Sequence, residues 1–100
     1  MEYIFETIDH AGRKIKLSKK QWSHIRQHHS EIESPHEIQE TLKNPDKILY
    51  DEREDVVNYF KYFKHKKTNS KFLKAIVRYI NSEGFVITAH FTRTIKWKEN

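Results

Sequence analysis

An α+β fold, with helices packed on one face of an antiparallel sheet and the opposite face open and basic, is predicted by three observations. Two helix-start signals stand ahead of Pro45. Beyond Pro45 the apolar pattern changes from helical spacing to short runs rich in β-branched and aromatic residues. The last two of these runs flank a glycine-containing turn, so they read as a hairpin.

The elements follow in order. Tyr3-Ile4-Phe5 and Ile15-Lys16-Leu17 are β-prone runs either side of Asp9-His10-Ala11-Gly12, which predicts an N-terminal hairpin. Ser18 opens a helix, Gln21 completes a capping-box pattern, and the helix runs to about Ser30. On it Trp22, Ile25 and His29 share a face, with His24, His28 and Glu31 well round from it. Ser34, Pro35 and Glu37 open a second helix with Ile38 and Leu42 as its buried stripe, and Asn44-Pro45 stops it. Lys47–Tyr50, Val56–Phe63, Phe72–Ile80 and Phe85–Thr92 are the strands. A charged loop, Asp51–Asp55, and a basic one, His65–Ser70, separate them, with Lys64-His65-Lys66-Lys67 as a solvated hairpin tip.

Asn81-Ser82-Glu83-Gly84-Phe85 fits a three-residue hairpin loop with Gly84 at the left-handed position. That register sets Arg78 opposite Thr88, Ile76 opposite His90 and Lys74 opposite Thr92. One face then carries Leu73, Ala75, Val77 and Tyr79 with Phe85, Ile87, Ala89 and Phe91. The other carries Lys74, Arg78, Val86, Thr88, His90 and Thr92, a combination of cations, an imidazole and hydroxyls suited to binding phosphate and moving a proton.

Composition narrows the function classes. One hundred residues suit a single domain spanning 1–100, and 36% hydrophobic residues suffice for a folded chain. The formal charge of +5 favours polyanions, nucleic acid above all, although many basic proteins bind none. The absence of cysteine excludes disulfides, thiolate catalysis and Cys-based zinc sites. No apolar run is long enough to span a membrane, and the expected location is the cytoplasm. Lys96 and Trp97 carry no decisive signal.

The chain resembles the phage barnase–EndoU–colicin–RelE-like (BECR) nuclease families over about residues 13 to 95. The residues that carry the likeness are Trp22-Ser23-His24-Ile25, His29-Ser30-Glu31, Asn44-Pro45-Asp46-Lys47-Ile48, Tyr59-Phe60-Lys61 and Thr88-Ala89-His90-Phe91-Thr92. Two positions depart from the pattern: Ser30 stands where proline is usual, and His90 where tyrosine is expected. The resemblance implies two N-terminal helices followed by a four-stranded antiparallel sheet. It also implies metal-independent RNA cleavage without a cofactor, of the toxin-like or phage-derived kind, leaving a 2′,3′-cyclic phosphate. An inhibitor or antitoxin protein is a further partner of such enzymes.

Such a reaction needs a base for the 2′-hydroxyl, a cation for the charge developing on phosphorus and an acid for the leaving 5′-oxygen. His90 and His24 are the acid–base candidates, the second nominated by the resemblance. Arg78 and Lys61 are the transition-state cations, Lys61 also through the resemblance, and Thr88 orients the phosphate. Lys74, Thr92 and His29 are substrate-binding candidates, although a histidine on an apolar stripe is more often a hydrogen-bonded core residue. His24 and His28 share a helix face and lack a third metal ligand at a fixed spacing, so no metal site is assigned. Two readings of other classes use the same residues: a non-catalytic RNA- or partner-binding module on the basic face, and a metal-dependent hydrolase on the helix histidines.

Overall fold

The computed structural model describes residues 2–95, which leaves Lys96 and Trp97 outside the described residues. Strands β1 (Tyr3–Ile8) and β2 (Lys14–Ser18) come first, then helices α1 (Lys19–His28) and α2 (Pro35–Lys43). Strands β3 (Lys47–Asp51), β4 (Val56–Tyr62), β5 (Phe72–Ile80) and β6 (Glu83–Thr92) follow. Both helices start as their sequences require. The Ser18 hydroxyl accepts from Gln21 N–H at 3.0 Å and the Ser34 hydroxyl from His36 N–H at 2.9 Å. Neither cap is closed by its expected box partner. The Gln21 side chain instead donates to the Ile87 carbonyl, tying α1 to β6, and Glu37 accepts from Glu33 N–H at 3.2 Å.

The sheet has six strands and is mixed, which corrects the expected four-stranded antiparallel sheet. Its order is β1-β2-β6-β5-β4-β3. The meander β3–β6 is antiparallel, and the N-terminal hairpin joins it through a parallel contact, Ile15 opposite Gly84 and Lys16 opposite Phe85. The helices therefore lie between two strand-forming segments rather than ahead of them all. Two residue pairs linking segments so distant in sequence leave no local pattern to read.

Gly84 explains how this contact closes. It is a buried strand residue, not the loop residue expected, and a Cβ there would lie 2.8 Å from the Tyr79 ring and 3.1 Å from Ile15 Cγ1. The turn is instead the two residues Asn81 and Ser82, with φ of 52° and 69°, the pattern of a type I′ hairpin turn. The register shifts with it. Lys74 pairs with His90, Ile76 with Thr88, Phe72 with Thr92 and Arg78 with Phe85. An irregularity between Ile76 and Val77 lets Ile87 fall out of step. Above it Val86 turns inward and is buried, and Phe85 moves to the side of Arg78. The sequence register had placed these two the other way round.

One face of the sheet is covered. Leu73, Ala75, Val77, Tyr59, Val86, Ala89 and Phe91 join Ile25, Ile32, Ile38 and Leu42 from the helical segment in one core. The N-terminal hairpin is pinned beneath it by Asp9, which is buried and accepts from Arg13 Nε at 2.9 Å and the Tyr79 hydroxyl at 2.8 Å. The Tyr79 hydroxyl also meets that of Tyr59 at 2.6 Å. Burial pushes the Asp9 carboxyl up, but the Arg13 backbone N–H, the Tyr79 hydroxyl, the Ala11 N–H and the Arg13 charge outweigh it and hold it below its usual range. No helix among the described residues is long and apolar enough to cross a membrane.

Candidate active site

Alternation along the paired strands places the remaining side chains on the face away from the helices. Reading across β4, β5 and β6, Asn58, Ile76 and Thr88 form one row, and Phe60, Lys74 and His90 the next. Tyr62, Phe72 and Thr92 form a third row, and Arg78 lies beyond Ile76 at the other end. Arg78 and His90 therefore share a face, although His90 pairs with Lys74, four residues along β5 from Arg78, and does not line the cleft that Arg78 lines. Lys74, Arg78 and Thr88 line a cleft of about 300 Å³ with Asn58, Val56, Ile76 and Ile87 and with two acidic residues, Asp51 and Glu54. Arg78 is held at its rim by an Nη2–H bond to the Glu54 carbonyl at 3.0 Å.

His90 sits one row from the cleft, directly opposite Lys74. Its ring centroid is 5.4 Å from that of His29. Burial pushes the His90 imidazole below its ordinary pKa, the Lys74 ammonium and His29 push it the same way, and Glu31 opposes them. A half-buried histidine beside a cation is thus kept ready to accept a proton at neutral pH. His29 is the C-cap residue of α1, so the end of that helix meets the His90 side of β6. Its Nδ1 lies 3.7 Å from a Glu31 carboxylate oxygen. One imidazole, two cations and a hydroxyl lie along one face of β5 and β6, and the imidazole of His29 meets His90 from the end of α1.

The family model described as phage-Barnase-EndoU-ColicinE5/D-RelE like nuclease2 matches residues 2–100. The chain belongs to this nuclease family. No curated protein and no solved structure matches it.

The nuclease keeps three of the expected residues away from the cluster. Lys61 pairs with Leu73, so it points to the helix side, where its Nζ donates to the Asn44 carbonyl at 3.1 Å beyond the end of α2. The sequence could not fix its facing, because Val56, Asn58, Tyr59 and Phe60 are all buried and β4 shows no alternation. His24 is exposed and packs against His28 at 4.6 Å, one position from Ile25 and hence turned off the stripe that carries His29. Thr92 shares the open face but lies opposite Phe72, lining a different hollow with Ser70 and Arg93. The helix histidines gain no third ligand: no group of three or more His, Asp or Glu side chains among the described residues is arranged to hold a metal. The basic loop is also less solvated than expected. Lys66 donates to the Glu31 carbonyl at 3.0 Å and pairs with Glu37 at 2.9 Å, leaving its side chain 15% exposed.

Two features of the nuclease's open face were not anticipated. Asn58 lies buried in the cleft. Tyr62, 48% exposed, meets Phe72 with ring centroids 5.3 Å apart, a surface on which a nucleobase can stack. A polar residue inside an otherwise apolar strand was the available signal for Asn58. For Tyr62 and Phe72 the signal needed the β4–β5 register, which neither strand reveals alone.

Proposed function

We propose that this nuclease is a metal-independent endoribonuclease whose active centre is the open sheet face around His90. The observation that carries the reading is the co-facing of His90, Lys74, Arg78 and Thr88, with His29 beside His90. His90, biased toward its neutral form, removes the proton from the ribose 2′-hydroxyl. The 2′-oxygen attacks phosphorus. Lys74 and Arg78 stabilise the charge developing on the non-bridging oxygens, and the Thr88 hydroxyl donates to one of them. His29 gives a proton to the departing 5′-oxygen, leaving a 2′,3′-cyclic phosphate and a 5′-hydroxyl. His29 takes the acid role in place of His24 because it is the histidine that meets His90. Tyr62 and Phe72 offer a stacking surface for a base of the same strand at one end of the face.

Incubation of labelled RNA with purified protein in excess chelator tests this reading. The expected products end in 2′,3′-cyclic phosphate. Products with 3′-hydroxyl ends, or cleavage abolished by the chelator and restored by a divalent cation, would contradict it.

A further inference from the structure

Four imidazoles form a continuous line from the open face onto α1. The ring of His90 lies 5.4 Å from that of His29, His29 lies 6.4 Å from His28, and His28 lies 4.6 Å from His24, centroid to centroid. His90 and His29 are partly buried, whereas His28 and His24 are exposed. The line leaves the sheet where the sheet is open. β2 pairs with β6 only at Gly84 and Phe85, so among the described residues no strand covers the edge of β6 from Thr88 to Thr92. α1 borders that edge, held there by the bond from the Gln21 side chain to the Ile87 carbonyl.

A pair of exposed histidines one turn apart on a helix needs no function. These two differ in where their line ends, and the chemistry assigned to that end gives it a direction. His90 takes the proton of the ribose 2′-hydroxyl, so the nucleotide upstream of the scissile phosphate lies against the sheet. His29 gives a proton to the 5′-oxygen, which belongs to the downstream nucleotide, so that nucleotide departs on the α1 side. The next side chains along the line are His28 and His24. Each presents a flat ring on which a base can stack and a ring N–H for a phosphate oxygen. Cations nearby are engaged with the backbone: Arg26 Nη1 donates to the Ser30 carbonyl at 2.8 Å, and Lys66 Nζ to the Glu31 carbonyl at 3.0 Å. The Glu31 carboxylate sits at the inner end of the line, 3.7 Å from His29 Nδ1.

We propose that His28 and His24 form a subsite for the RNA strand downstream of the scissile phosphate, the strand that leaves as the 5′-hydroxyl product. The inference rests on the ribonuclease reading above and on its assignment of His29 as the acid.

The test uses substrates with one cleavable linkage, every other sugar being 2′-deoxy. They differ in the strand beyond that linkage, a single nucleoside or a short oligonucleotide, on the downstream or the upstream side. In wild type, lengthening the downstream strand is expected to raise kcat/KM about tenfold, chiefly through KM. The double variant His24→Ala, His28→Ala loses most of that gain and keeps the response to upstream length. Alanine at exposed helical positions favours the helix, so folding is not at stake. No gain from downstream length in wild type, or a gain that survives in the variant, would overturn this inference and leave the ribonuclease reading standing. Cleavage of every substrate slowed alike in the variant would also overturn it, by returning His24 to the chemistry. No cleavage of any substrate by wild type would overturn both.

Discussion

The chemistry assigned to His90 depends on its neighbours more than on the imidazole itself. Burial is the largest influence and Lys74 the next, both disfavouring the charged form, with Glu31 acting in the opposite sense. Removing the lysine removes a repulsion between like charges, so Lys74→Ala is expected to raise the His90 pKa. The acidic limb of the profile of kcat/KM against pH then moves to higher pH, and Glu31→Gln moves it to lower pH. A titration of His90 by NMR checks the same signs without turnover. Such detail is invisible in sequence. The Thr88-Ala89-His90 segment was legible as a polar strand face, yet the partners that tune it were not. Lys74 was assigned to Thr92 rather than to His90, and His29, a substrate-binding candidate on an apolar stripe, had nothing in the sequence to link it to His90.

At the scale of the elements, the hairpin between β5 and β6 shows how a correct face can come from an incorrect turn. The sequence register missed the actual one by two residues along the lower part of the pair, and a shift of two preserves which side chains share a face. Arg78 stayed with His90 for that reason. The turn was misread because glycine is the strongest left-handed signal, while Gly84 is required for its close approach to Tyr79 and Ile15. Asn81 and Ser82 carry the left-handed backbone instead. For a residue other than glycine that conformation costs about 1–2 kcal/mol, offset in part by the greater freedom glycine loses on folding. Ser82→Gly is therefore expected to raise stability by about 0.5 kcal/mol in denaturant unfolding, with no change in the open face. The helices were legible because caps are local chemistry. The side of β4 on which Lys61 falls was not, because that strand is buried on both faces.

For the whole molecule, the distribution of charge matters more than its sum. The net charge of +5 pointed to a polyanion, but some of the lysines are spent internally: Lys66 on Glu37 and Lys61 on the end of α2. Lys74 and Arg78 line the cleft, Arg78 with one nitrogen on the Glu54 carbonyl. Each cation that meets a phosphate releases counterions, so Arg78→Ala is expected to weaken RNA binding and to lower the slope of log affinity against log salt by about 1. Lys67→Ala, in the basic loop, leaves that slope nearly unchanged. The sixfold sheet was beyond the sequence because its closing contact is two residue pairs joining the first and last parts of the chain. The basic face was within reach because it is built from neighbouring strands. The most direct test of that face as a catalytic centre compares wild type with His90→Ala in single-turnover RNA cleavage and in RNA affinity. Cleavage slowed by about 100-fold or more with affinity within a few-fold of wild type is the expected result. Cleavage at the wild-type rate would place the chemistry elsewhere on the molecule and contradict the account.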